Sequence, residues 1–308
     1  MRIVSLISSA TEILCEMGLQ DQLVGISHEC DYPPSIQELP RLSSPRLDIT
    51  QPSHVIHEEV ATRAKRGLSL YDVDAKKLAE LKPDLVITQD QCEVCAVSLK
   101  DVKNALCGWT GMSTQLLSLR PYTLAEVEES FLQVGRATGQ IAAAQDLKIR
   151  FRAKLDAVET TVKAATTYPR VLNLEWLNPP IVGGGWIPEL VRIAGGVPLL
   201  VSEPTHFIKA EWKDLQDLNP EIIALYPCGF DIKRSLEELQ SNQVMEQLIK
   251  FTAVREGNFF VCDGNAYFNR SGPRLAESAE LLAGLFHPEA GQSYREKHAY
   301  FFTRWGVA

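Results

Sequence analysis

The chain has 308 residues, 45% of them hydrophobic and 23% charged, with a formal net charge of −8. That length exceeds one small core and predicts about two domains, and the balance excludes a disordered or fibrous chain. The acidic excess leaves no basic footprint for nucleic acid, and no apolar run reaches the ~18 residues that a membrane span needs.

Met1-Arg2 leads directly into a first strand, Arg2-Ile3-Val4-Ser5-Leu6, with no apolar leader and cleavage site. The expectation is a cytoplasmic protein, periplasmic only if a leader has been removed. Glu12-Ile13-Leu14 opens a helix closed by Gly18, which tolerates the left-handed cap. After a short strand, Leu23-Val24-Gly25-Ile26, the run Ser27-His28-Glu29-Cys30-Asp31-Tyr32-Pro33-Pro34 offers an imidazole, two carboxylates, a thiol and an aromatic. At a strand's carboxyl end these suit ligand contact, above all through Glu29 and Tyr32. Asp-Tyr-Pro-Pro is also good turn chemistry, and Cys30 reads as a buried thiol as well as a ligand.

An insertion is expected between about His28 and Asp74, with His54 and His57 on an exposed helix. Leu78-x-x-Leu81-x-Pro83-Asp84-Leu85-Val86-Ile87 then reads as helix, turn and buried strand. Gln91-Cys92-Glu93-Val94-Cys95 follows. A CxxC is a redox pair or half of a zinc site, but a structural zinc needs four ligands and no second pair exists. Two reduced thiols in a loop is the favoured reading, with His28, Cys30, Cys92 and Cys95 as weak metal candidates. Seven scattered cysteines do not make a disulfide framework.

From Thr123 to Thr167 the pattern is helical, with a break at Gly139. From about Ile141 to Ala165, Leu147, Phe151, Leu155, Val158 and Val162 form one apolar stripe. Tyr168-Pro169 ends it. The second half then repeats the first. Arg170-Val171-Leu172-Asn173-Leu174 matches the first strand, and Glu189-Leu190-Val191 with Gly195 matches Glu12 with Gly18. Leu199-Leu200-Val201 matches the second strand, and Leu215-x-x-Leu218-x-Pro220-Glu221 matches the proline-marked turn.

Helices alternating with short Val/Ile/Leu strands imply parallel sheets. The expected fold is α/β, with two Rossmann-like lobes joined by one long helix. Its parts are residues 1–122, a helical segment 123–167, and 168–308. Ligands bind such folds at the carboxyl ends of strands.

There the second lobe offers Glu175, Trp176 and, after Gly183-Gly184-Gly185, Trp186. Neither GxGxxG nor GxxxxGK[ST] is present, so a nucleotide site is disfavoured. Tyr267, Phe268 and Arg270 lie in a last strand-end loop; Arg274 serves there as a cap or local ion pair. No nucleophile with a base, paired carboxylates or metal triad is evident. The expectation is binding without catalysis and without a catalytic cofactor.

The chain resembles the cobalamin-binding members of the helical-backbone, class III periplasmic binding proteins, which serve as solute-binding proteins of ABC transporters. Its relatives also carry ferric siderophores and haem. The resemblance rests on Ser9–Glu12, Asp31–Pro34, Leu81–Ile87, Asn178–Pro180, and Tyr267–Arg270 with Pro273-Arg274. It implies a corrinoid between lobes that close little, contacted from Glu29 to Tyr32, Tyr71, Glu175, Trp176, Trp186, Tyr267 and Arg270. Ferric siderophore, haem or another tetrapyrrole is the alternative on the same fold, and a CxxC-dependent metal or redox protein the second. Transporter-coupled relatives carry a docking glutamate on each lobe; here those positions hold Lys76 and Lys213, which weakens permease docking.

Overall fold

The computed structural model describes residues 1–89, 97, 101–103, 114–201 and 207–306. In the first half, β1 (Ile3–Ser5), β2 (Leu23–Ile26), β5 (Leu85–Gln89) and β6 (Gln115–Leu119) form a parallel sheet in the order β2-β1-β5-β6. Its central strands are buried on both faces, as a parallel sheet covered by helices on both sides requires. In the second half, β7 (Arg170–Leu177), β9 (Val197–Pro198), β11 (Ile222–Leu225) and β12 (Phe259–Cys262) repeat this winding as β9-β7-β11-β12. Antiparallel β8 (Pro180–Val182), β10 (Ile208–Lys209) and β13 (Phe302–Trp305) extend that sheet.

The duplication persists in local detail. The backbone N–H of Arg2 donates to Asp84 at 2.7 Å and that of Arg170 to Glu221 at 2.8 Å. Lys82 and Asn219, at matching positions, turn the chain with φ of 46° and 45°. One expectation shifts. The strand placed at Leu199–Val201 lies at Val197–Pro198, because Leu200 takes φ 68° and leaves the extended region.

Between the sheets runs a shared helical layer of α1 (Ser8–Glu16), α4 (Leu124–Thr138), α5 (Ile141–Val162), α6 (Ile187–Ile193) and α11 (Leu275–Phe286). Thr123 and Glu126 start α4 as a reciprocal capping box, and Gly139, at φ 72°, ends it. The 22 residues of α5 span about 33 Å. Its predicted stripe, Leu147, Phe151, Leu155, Val158 and Val162, is buried throughout. One continuous apolar cluster joins this layer to Ile3 and Leu85 of one sheet and Val171 and Phe260 of the other.

The outer faces are covered separately. Helix α3 (Ala75–Leu81) backs the first sheet. Helices α7 (Trp212–Asp217), α8 (Ile232–Leu239), α9 (Asn242–Leu248) and α10 (Thr252–Arg255) back the second. Helix α12 (Gln292–Lys297) packs on α11. The expected insertion is a two-stranded antiparallel ribbon, β3 (Ser43–Pro45) with β4 (Tyr71–Val73), carrying α2 (Ser53–Lys65). Among the described residues no helix is long and apolar enough to cross a membrane.

Phe151 meets Phe131 edge-on at 5.4 Å in the layer that both sheets share. Phe151→Ala is therefore expected to cost about 3–5 kcal/mol in urea unfolding; a loss below about 1 kcal/mol would show that the two halves do not depend on this helix.

Candidate functional site

Among the described residues, the carboxyl ends of the parallel strands β2, β7 and β12 carry loops that the sequence singled out. After β2, Arg41 holds the chain by donating to the carbonyls of Ser27, at 3.0 Å, and Cys30. Ser8 Oγ on α1 donates to the Glu29 carbonyl at 3.0 Å. The Cys30 side chain turns inward, fully buried, with Sγ 3.1 Å from Thr11 Oγ1 and 3.2 Å from Ser27 Oγ. Burial raises its pKa, so it is a packed thiol and not a nucleophile.

The loop after β12 is braced from within. Asp263 Oδ1 accepts from the N–H groups of Asn265 and Ala266. Asn269 Nδ2 donates to the carbonyls of Tyr226 and Gly264. A Cβ on Gly264 would stand 2.2 Å from the Pro227 carbonyl oxygen, so only glycine lets the β11 and β12 loops approach this closely. Phe268 is fully buried and stacks on Tyr226 at 4.3 Å and 14°. Trp186 Nε1 donates to the Phe268 carbonyl at 2.7 Å. Trp186 and Phe268 thus support the loop from below, each under a tenth exposed.

This brace projects two arginines across to the first half. Arg270 grips Asp31 through Nη1 at 2.6 Å and Nη2 at 3.0 Å, and reaches Glu12 at 3.1 Å. Arg274 donates to both Glu12 oxygens, at 3.0 and 2.6 Å, and lies 4.1 Å over the Tyr32 ring and 5.7 Å over the Tyr267 ring. Asn265 Nδ2 donates to Asp31 at 2.8 Å. Two carboxylates and two guanidinium groups therefore balance where the halves meet. Burial alone would raise the Asp31 carboxyl, but the hydrogen bonds and charge of Arg270, with Asn265 and Arg274, outweigh it and hold it below its usual range. Glu29 is pushed up to about 7 by burial, against the pull of Arg270 and with a further push from Asp31.

The structure thus gathers Glu29, Tyr32, Tyr267 and Arg270 around one ion cluster. Tyr71 lies apart on β4, buried, with the His28 ring 5.3 Å away. His28 Nδ1 sits 2.8 Å from Ser43 Oγ, and burial, then Arg41, lowers its pKa to about 4, leaving it neutral at pH 7. Glu175 and Trp176 end β7, and Trp176 packs on Phe230 at 5.1 Å. Cys92 and Cys95 lie outside the described residues. Among those described, no three His, Cys, Asp or Glu residues could hold a metal ion. Lys76 and Lys213 are exposed in the first turns of α3 and α7.

Sequence reasoning missed Glu12, Asp31 and Asn265 as cluster members and gave Arg274 only a local role. The one signal was Glu12 itself, a charge set between the apolar residues of a buried helix.

The periplasmic binding protein family model matches residues 3–266, and the chain belongs to that family. It is 34% identical over 97 residues to a vitamin B12-binding protein of Vibrio cholerae, a match covering 27% of this chain and 35% of that protein. The chain thus spans about a third of the length of that relative. Its fold matches the crystal structure of a periplasmic haem-binding protein from Pseudomonas aeruginosa with a TM-score of 0.70 at 20% identity, over 94% of this chain and 93% of the other. The vitamin B12-binding protein BtuF of Vibrio cholerae matches with a TM-score of 0.65 at 20% identity, over 94% and 97%. The fold is the two-lobed, helical-backbone type.

Because Asp31 is held below its ordinary pKa of 3.8, its contribution to stability is complete above that value and is lost as pH falls through the lower, folded value. The thermal midpoint difference between wild type and Asp31→Asn should therefore be larger at pH 7 than at pH 3. An equal difference at both would remove Asp31 from the cluster's energetics.

Proposed function

We propose that this protein binds a corrinoid of the cobalamin type in the cleft between its lobes. The observation that carries the reading is the 34% identity over 97 residues to a vitamin B12-binding protein. The cleft chemistry supports it. A corrinoid presents a broad apolar face and a rim of amides; Tyr32, 41% exposed, and half-buried Trp176 offer ring faces. Trp176 Nε1 is a buried donor with no partner among the described residues, suited to an amide oxygen. Tyr71, Trp186, Tyr267 and Phe268, each under a tenth exposed, support the surrounding loops from within. Arg270, already engaged by two carboxylates, serves by holding the Glu29–Tyr32 loop in place. Haem, a ferric siderophore or another tetrapyrrole is the competing class of ligand on this fold.

The setting we propose is corrinoid handling with weak or no docking to a permease. Lys76 and Lys213 put like charge where an arginine-bearing partner would need carboxylates. A redox or metal role has little support from the described thiols. Cys15 is pushed up to about 12 by burial and nearby carboxylates, and the Cys262 thiol is likewise raised, chiefly by burial.

Calorimetric titration with cyanocobalamin, haemin and a ferric siderophore should give binding with the first, and a coloured complex on desalting. Binding of haemin alone would move the assignment to the tetrapyrrole alternative. With its carboxyl raised to about 7, Glu29 is a neutral donor below that pH, so corrinoid affinity should fall as pH rises through about 7. Glu29→Gln, which stays neutral, should flatten that profile; an unchanged pH slope in the variant would show that Glu29 does not contact the ligand.

A further inference from the structure

The insertion in the first half reaches the second. The chain leaves the β3–β4 ribbon after Pro45 and returns at Tyr71, and Arg46 pairs side chain to side chain with Asp72 of β4. Arg46 N also donates to the Leu70 carbonyl at 2.8 Å, and Arg63 Nη2 donates to the Arg46 carbonyl at 2.9 Å. The excursion is therefore a single loop on a narrow stem. Its helix, α2, packs against β7 of the other half. The N–H of Ser53, which opens α2, donates to both Glu238 oxygens of α8 at 3.1 Å, so a carboxylate from the second half caps a helix of the first. Arg234 Nη2 donates to the Gln51 carbonyl and to Glu238, and its guanidinium lies 5.0 Å over the Phe230 ring that packs on Trp176. Lys209 of β10 acts on His57 of α2. The attachment thus runs along the strand-end face where Trp176 stands.

This attachment is poor in apolar burial. Ser53 is the one fully buried residue of α2; Val55, Ile56 and Val60 are half-buried. Helix α5, by contrast, buries six side chains. At the junction, Ser53 Oγ and Arg234 Nε are buried without a hydrogen-bond partner among the described residues, so both gain hydration when it opens. A polar catch on a hinged, weakly packed helix can release without disturbing the shared core.

We infer that residues 46–70 form a lid over the ligand cleft, with α2 hinged on the β3–β4 ribbon and latched to the second lobe by Glu238. The inference rests on the cleft being the ligand site. A lid governs rates: with the catch removed, a ligand should both enter and leave faster.

Two variants test it. Glu238→Ala removes the catch. In the other, residues 48–68 are replaced by a short glycine-serine link. In ligand-free protein, amide hydrogen exchange across Ser53–Lys65 should rise about tenfold or more in Glu238→Ala, while β7 and α5 exchange as in wild type. With cyanocobalamin, stopped-flow association and dissociation should both accelerate in both variants, with far-UV circular dichroism keeping the signal of the remaining fold. Unchanged exchange in α2, or rates within about twofold of wild type in the loop-replaced protein, would overturn the lid. If wild type binds no corrinoid, the ligand assignment fails by itself and the exchange measurement alone decides the lid.

Discussion

A carboxylate only 2% exposed on a helix of the first half, Glu12, is held by two arginines of the second. A lone charge so buried would cost several kcal/mol, so α1 keeps its place only while the β12 loop delivers Arg270 and Arg274 to it. The same loop stays put only while Phe268 stacks on Tyr226 and Trp186 hydrogen-bonds its backbone. Loop, helix and the Asp31–Tyr32 segment therefore share one electrostatic fit. The duplicated partner of Glu12 shows how far the two halves have diverged: Glu189, at the matching position, instead accepts from the Leu124 backbone at the start of α4.

The packing makes the halves act together. Because the apolar cluster of α1, α4, α5, α6 and α11 is continuous between the sheets, large hinge opening would tear a common core. Movement is then left to surface elements, and the inserted α2 has no fully buried apolar side chain and meets the second half through polar groups.

Much of this was legible in the sequence, for a physical reason: strands and helices write their burial in local periodicity. The stripe from Leu147 to Val162, the Gly139 break and the paired Pro83/Pro220 turns all appear where local pattern places them. Contacts between the halves have no such local mark. Glu12 and Arg270 are 258 residues apart, and Ser53 and Glu238 are 185 apart. Aromatic residues in strand-end loops were equally ambiguous. Tyr32 stays exposed while Phe268, in similar company, is buried beneath its own loop, since loop sequence does not state which face a ring will find.

The most direct measurement is a double-mutant cycle between Glu12→Gln and Arg270→Met, read as urea unfolding free energies at pH 7. If the buried ion cluster fixes the lobes, each single change costs about 3–5 kcal/mol and the pair couples by roughly 2 kcal/mol or more. Additivity within about 0.5 kcal/mol would contradict the account, because the two halves would then be held by their apolar core alone.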